Sequence, residues 1–393
     1  MIVRQFLQWQ RTATAADRAD ATSALARAYL YSDLTPDDRA AAEGALLMLL
    51  DDPSPLVRMA LAQALADSEW APPNIIVALL ADQPEIAACV LAHSPLLLDA
   101  DLVDAAATLG ARAQIAIASR RNLPAAVSAA IAEVGSAEAC LVLVENAGAD
   151  IAPFSLDRIV ERFGHLGAIR EAMLAREDLP AQTRQGLVAK LAETLAGFVT
   201  ARAWLEEERA QRLAKDACEK ATVILAAAAP GREIIPLVRH LRESGQLNAG
   251  LILRALLSGN IELFVAALAD LAEMPPMRVS ALVHDPRGTA FRALYRKAGL
   301  PDSAYPAFSE AVEALREGGL VGSTRGAVSL KRRMVERVIT RCADEPVGDV
   351  EPLLTLLRRF AAEAAREEAR LFCDDLISGA AVSPPYEPDR AAA

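Results

Sequence analysis

The chain has 393 residues, of which 53% are hydrophobic but only 4% aromatic, with five cysteines and a net charge of −11. That length exceeds what one ordinary compact core fills, and no uncharged apolar stretch reaches the roughly 18–20 residues that span a bilayer, which argues against a membrane-spanning role. A core so poor in rings is expected to be built from Ala, Leu, Val and Ile, the chemistry of closely packed helices.

Residues Met1 to Gln10 carry the apolar clusters Ile2–Val3 and Phe6–Leu7 without a signal-peptide h-region or cleavage site, so 1–35 reads as an N-terminal helical segment. From about residue 36 a helix-sized apolar stripe, a short break and an opening proline recur. Pro95, Pro124, Pro153 and Pro180 mark the phrase at spacings of 29, 29 and 27, a period that means stacked helical hairpins. In Asp52-Pro53-Ser54-Pro55, Ser54 is the expected N-cap and Pro55 the first-turn residue. Leu56/Val57, Ala60/Leu61 and Ala64/Leu65 then line one face. Pro72-Pro73 opens the next helix, and Asp82 to Glu85 offers a capping box. Asn122-Leu123-Pro124-Ala125 and Asp178-Leu179-Pro180-Ala181 repeat one helix start, an Asx cap before Leu-Pro-Ala. Ala137 to Glu145 and Leu156 to Phe163 make another pair, and about five hairpins fill 36–196.

The rhythm changes at Gly197. Phe198 to Ala229 contains neither Pro nor Gly, and Glu208/Arg212 and Asp216/Lys220 stand at i, i+4, so 197–230 reads as one long connecting helix. It could cap the array, join two lobes or form a homodimer seam, although Leu205, Leu213 and Ile224 sustain no clean heptad. Shorter helices are expected at Ile234–Glu243, Leu251–Ser258, Ile261–Glu273, Arg278–His284, Thr289–Ala298 and Tyr305–Arg316. After a Gly-rich break from Gly318 to Gly326 come Leu330–Cys342 and a last helix from Val350 to about Ile377, so 231–377 forms a C-terminal helical domain. A disordered tail is expected over 378–393.

The Asp52–Leu65 phrase resembles the HEAT repeat, with Asp52, Pro55, Val57 and Arg58 at the positions of its Asp-x-x-Pro-x-Val-Arg motif. The resemblance implies an Asp–Arg ladder between repeats, and only this copy keeps the whole motif. Over nearly its full length the chain is similar to a bacterial family catalogued as a domain of unknown function, with a HEAT-like N-terminal half before a helical C-terminal half. Asp52 to Arg58, His93-Ser94-Pro95-Leu96-Leu97 and Arg292 to Pro301 carry that likeness, and it implies no catalytic residues. The expected fold is therefore all-α, an α-solenoid of HEAT-like hairpins followed by a second helical lobe.

Charge is uneven. Residues 1–196 hold 15 Lys+Arg against 25 Asp+Glu, or −10, while 197–393 hold 26 against 27, or −1. Between Asp51 and Gly110 Arg58 is the sole basic residue, a surface that repels phosphate backbones and favours a basic partner. Asp99, Asp101 and Asp104 are the candidate partner surface. Arg325, Lys331, Arg332, Arg333, Arg337 and Arg341 against Glu336 give a local +5, and Arg332, Arg333, Arg337 and Arg341 are the candidate anion-binding residues. The four histidines stand at no metal-ligand spacing. His284-Asp285 before Pro286-Arg287-Gly288 reads as a turn, and the Gly318–Gly326 break lacks the phosphate-loop pattern. No catalytic, cofactor-binding or metal residue is assigned, and the dispersed cysteines are expected to be buried thiols in a reducing cytoplasm.

The function these features support is a non-catalytic scaffold that grips a protein or peptide, with a basic segment, on the solenoid surface. Two alternatives stay open. One is a nucleic-acid-binding protein resembling the solenoid DNA glycosylases through its basic C-terminal helix, disfavoured by the acidic first half. The other is peripheral membrane attachment through Ile2, Val3, Phe6, Leu7 and Trp9 with Arg4 and Arg11.

Overall fold

A computed structural model describes residues 9, 12–285, 289–318, 335–340 and 351–380. Among them the regular structure is helical throughout, apart from one isolated bridge between Leu123 and Ala149. The chain divides into two compact units, Met1–Leu179 and Pro180–Ala393, so the break comes at Pro180, ahead of Gly197.

The first unit holds α1 (Ala15–Tyr31), α2 (Pro36–Met48), α3 (Pro55–Leu65), α4 (Pro73–Leu80), α5 (Pro84–His93), α6 (Asp99–Thr108), α7 (Ala111–Ala118), α8 (Ala125–Val134), α9 (Ala137–Glu145), α10 (Pro153–Phe163) and α11 (Gly167–Leu174). Alternate helices touch: α1, α3, α5, α7, α9 and α11 pack in succession, and α6, α8 and α10 form a second layer. This is a solenoid-like stack, in which each hairpin buries its stripe against the next. Val57, Leu61, Leu65, Ile86, Val90, Ile117, Leu143, Ile169 and Met173 are all buried in the first layer, each worth about 1.5–3 kcal/mol of burial for residues of this size.

The recurring proline serves both layers. Pro55 and Pro84 open α3 and α5, whereas Pro153 opens α10 and Pro124 is the N-cap of α8. Pro95 lies in a turn before α6 and opens no helix. The expected caps also differ. Ser54 makes no side-chain cap; Asp52 Oδ1 accepts the Ser54 N–H at 2.8 Å instead. Asp82 does not form a capping box, because its carboxylate is held by Arg58 Nε and Nη2 at 2.6 and 2.9 Å. In the two Leu-Pro-Ala starts the proline is the N-cap without an Asx cap, and the buried Leu123 and Leu179 are the anchors.

Two ladders tie the stack. At its start Arg18 binds both oxygens of Asp52 at 2.8 and 2.9 Å, Arg58 binds Asp82, and Arg58 Nη1 reaches the Asp52 carbonyl at 2.6 Å. Farther on, a side chain just past each first-layer helix donates to the carbonyls that end the preceding one. Arg120 donates to the Leu91 and Ser94 carbonyls at 2.6 and 2.8 Å, and Asn146 Nδ2 to those of Ala118 and Arg120 at 2.8 Å each. Arg176 donates to the Val144 carbonyl at 3.1 Å. In the second layer Arg162, in the last turn of α10, donates to the Ala132 and Gly135 carbonyls at 2.7 and 2.8 Å. The last carbonyls of a helix have no partner within it and carry its negative end, so a neighbouring donor, above all a cation, satisfies both demands.

The second unit holds α12 (Ala181–Ala201), α13 (Glu207–Ala228), α14 (Gly231–Glu243), α15 (Ala249–Leu257), α16 (Ile261–Ala272), α17 (Pro276–Val283), α18 (Thr289–Lys297), α19 (Tyr305–Gly318) and α20 (Glu351–Ala380), with helical residues at 335–340. The single long helix expected over 198–229 is replaced by a hairpin of α12 and α13. Ala203 stands in the left-handed region at φ 55°. Its N–H reaches the Thr200 carbonyl at 2.9 Å and the Trp204 N–H reaches that of Val199 at 3.0 Å, the bonding of a Schellman stop. Trp204 packs edge-on to Phe198 at 5.8 Å, and the Arg202 guanidinium lies 4.3 Å from the Phe198 ring centre.

The core of this unit also departs from the ring-poor expectation. Phe264, Phe291, Tyr295 and Phe308 are fully buried and joined in a ring of neighbouring contacts, so an aromatic cluster forms where α16, α18 and α19 meet.

Candidate functional site

Asp99, Asp101 and Asp104 are exposed on α6. Asp99 and Asp101 lie in its first turn, where acids favour the positive helix end, and Asp101 accepts the Leu98 N–H at 3.0 Å. Part of the local acidity thus starts a helix. Of the basic residues, Arg337 is paired with the buried Glu310, while Arg332, Arg333 and Arg341 lie outside the described residues, as do Ile2, Val3, Arg4, Phe6, Leu7, Arg11 and residues 319–326 of the Gly-rich stretch. His284 ends α17, with Nδ1 2.8 Å from the Ser280 carbonyl oxygen, and 286–288 are not described. No group of three His, Cys, Asp or Glu among the described residues could hold a metal ion. Cys140 and Cys218 are buried and Cys89 is half-buried, but Cys373 is exposed, against the expectation of buried thiols throughout; Cys342 lies outside the described residues.

A deep concave surface lies between α12 and α13, where no candidate residue was expected. Ala189, Ala192, Ala196, Gly197, Thr200 and Ala201 recur every three or four residues along one face of α12 and form one wall. Gln211, Ala214, Lys215, Cys218, Glu219 and Thr222 repeat on α13 and form the other. The volume is about 830 Å³, within the range of ligand clefts. Twelve steps of helix from Ala189 to Ala201 make the groove about 18 Å long, which leaves a cross-section of about 45 Å². That is room for one extended segment, or for the side-chain ridge of a helix lying along it. No residue from 188 to 209 is buried, and Leu191, Leu195 and Phe198 are exposed on the α12 face turned away from the groove.

The inner end of the groove is polar. Gln185, fully buried, donates from Nε2 to Gln246 Oε1 at 2.6 Å, and its Oε1 lies 3.1 Å from His240 Nε2. Cys218 Sγ is 3.5 Å from the same Gln246 oxygen. Burial pushes the Cys218 thiol up, against smaller opposing effects of hydrogen bonds with Thr222 and Gln185, so sulfur stays protonated and acts as a weak donor rather than a nucleophile. Asn248 caps α15 by accepting the Leu251 N–H at 3.0 Å and donates to Glu219 Oε1 at 3.0 Å. Glu219 is only 8% exposed.

A second hollow, between α13, α15 and α20, is closed by its own chemistry. The buried Arg254 pairs with Glu363 at 2.6 Å and lies 4.2 Å from the Phe360 ring centre, a contact that fastens α20 to the core.

Residues 86–348 match the model of a family described as an uncharacterised protein conserved in bacteria, DUF2336. The chain belongs to this family. The matched segment of the DUF2336 chain takes in part of the first unit and, in the second, all of α12 and α13 with the groove between them. No curated protein and no solved structure matches the chain. Among the described residues no helix is long and apolar enough to cross a membrane.

The groove's signal was present in the sequence, as small residues at 189, 192, 196, 197 and 201. It becomes visible only once α12 and α13 fold back on each other, and no Gly or Pro announces that turn.

Proposed function

We propose that the chain is a non-catalytic binding protein of the cytoplasm, a scaffold on which a helical segment of a protein partner docks along the groove between α12 and α13. The observation that carries this reading is the groove itself: a wall mostly of alanine and glycine that no side chain of the described residues fills. Small residues let a partner backbone come close, so a ridge of larger side chains can enter. Such docking is the helix-in-groove mode, read through anchors at i, i+3 or i+4 and i+7. The HEAT-like stack of the first unit fits the same class of function, since stacked hairpins are binding surfaces in many unrelated settings.

The test is selection without a presumed partner. A display library of helical peptides of about fifteen residues, long enough to run the groove, is panned on the full chain, and each selected peptide is measured again on Ala196→Trp, which fills the groove at mid-length. Docking predicts peptides whose binding is lost in the variant. A second reading, a basic segment on α6, is favoured by the exposure of Asp99, Asp101 and Asp104, none of which makes an ion pair among the described residues. It predicts peptides that ignore Ala196→Trp and are released by Asp99→Lys/Asp101→Lys/Asp104→Lys and by salt.

A further inference from the structure

We infer that Glu219 makes the inner end of the α12–α13 groove a receptor for a cationic side chain, so that the docked segment carries a lysine or arginine at the position that meets it. This rests on the groove being a docking site.

Glu219 as a residue is more than nine-tenths buried, and among the described residues the one hydrogen bond its carboxylate accepts is the 3.0 Å contact from Asn248 Nδ2 to Oε1. Among the described residues Oε2 has no hydrogen-bond partner, though it is not sealed from solvent, and no Lys, Arg or His forms an ion pair with the carboxylate. A carboxylate withdrawn from water is ordinarily compensated by a cation or by several donors, and one neutral amide is less than that. Among the described residues the other two buried acids each have an arginine: Asp52 has Arg18, and Glu310 has Arg337. Glu219 is the exception, and it is the one that lines the groove.

The surroundings suit a cation on an aliphatic stem. Asn248 cannot turn to offer more, since its Oδ1 is committed to the Leu251 N–H. Gly250 keeps the space beside the free oxygen open: a Cβ there would stand 3.8 Å from Oε2. Along the approach Ala189, Ala192 and Ala214 present methyl groups, which favour the methylene stem of Lys or Arg while its head stays polar. The lining charges agree, with Glu193, Glu207 and Glu219 against Lys215. An anionic or purely apolar segment would leave Glu219 as it is; a cationic one would complete it.

Peptides selected on the full chain and lost in Ala196→Trp are the probes. They are expected to share one Lys or Arg, and replacing that residue by norleucine should weaken binding to the native chain about tenfold or more, the scale of a close charge pair at an interface. Glu219→Gln should weaken the Lys or Arg peptide by a similar factor and leave the norleucine peptide unchanged. Glutamine keeps an acceptor for Asn248, and the norleucine peptide perturbs no protein residue at all, so a folding defect cannot imitate the pattern. Groove-dependent peptides with no shared cation, or with equal affinity for Glu219→Gln, would overturn the cationic anchor while leaving the groove as a docking site. If no selected peptide depends on the groove, the docking reading itself fails.

Discussion

Arg120→Met removes a side chain that holds two repeats together without leaving a hole. In the native chain Nη1 and Nη2 donate to the Leu91 and Ser94 carbonyls at 2.6 and 2.8 Å, at the end of α5, and burial lowers the pKa of the guanidinium, as expected of a cation moved partly out of water. Hydrogen bonds involving a charged group are worth about 1.5–3 kcal/mol each, but part of that is returned when water reaches the freed carbonyls, so a net loss of about 2–3 kcal/mol is expected. For a unit of this size that lowers the midpoint by roughly 5–10 °C. Arg120→Lys, a point charge that reaches one carbonyl well and not two, should recover about half of the loss. Urea unfolding followed by far-UV circular dichroism gives the total, and amide exchange in α5 and α7 shows where it falls. The control is Arg112→Met, whose pair with Glu85 is exposed on both sides and should matter little. If Arg120→Met behaves like Arg112→Met, or if α5 and α7 keep their protection, the ladder of donors on helix ends does not hold the stack.

Three further outcomes follow from other parts of the chain. The hydrogen bonds from Arg58 hold the Asp82 carboxyl below its ordinary value, so the pair stabilises fully above the unfolded value of about 4 and is lost as pH falls through the lowered folded one. Urea midpoints from neutral to strongly acid pH should therefore drop less steeply in Asp82→Asn than in the native chain. Ala203→Gly relieves a left-handed alanine and should stabilise the hairpin corner by about 1 kcal/mol, seen as slower amide exchange at the ends of α12 and α13. Burial raises the Cys140 thiol to about 11, so iodoacetamide at mildly alkaline pH should label the exposed Cys373 and spare Cys140 until the chain is unfolded.

Much of the fold was legible because proline and apolar spacing act locally. Ala137–Glu145 is the expected helix without change, and Ile261, Thr289 and Tyr305 start their helices where the pattern put them. What the sequence could not display was bonding across repeats. Arg120, Asn146 and Arg162 look like ordinary polar residues near helix ends until the carbonyls they serve, 26 to 30 residues earlier, are brought beside them. The capping box at Asp82 failed for the same reason, its carboxylate being taken by Arg58 of another helix, whereas at Ser54 the neighbouring Asp52 accepts the backbone N–H in place of a serine cap. The turn at Ala203 was hidden because a left-handed stop usually announces itself with glycine, and here Phe198, Arg202 and Trp204 clasp the corner instead. The groove was hidden with it.

Alanine-methyl NMR of the full chain tests the central claim most directly. On titration with a selected peptide, docking in the groove predicts that the methyls of Ala189, Ala192, Ala196, Ala201 and Ala214 shift together, and that Ala196→Trp abolishes the response. Shifts centred on Ala100 and Ala105 of α6, with the groove methyls unmoved, would contradict it and place the partner on the acidic first unit.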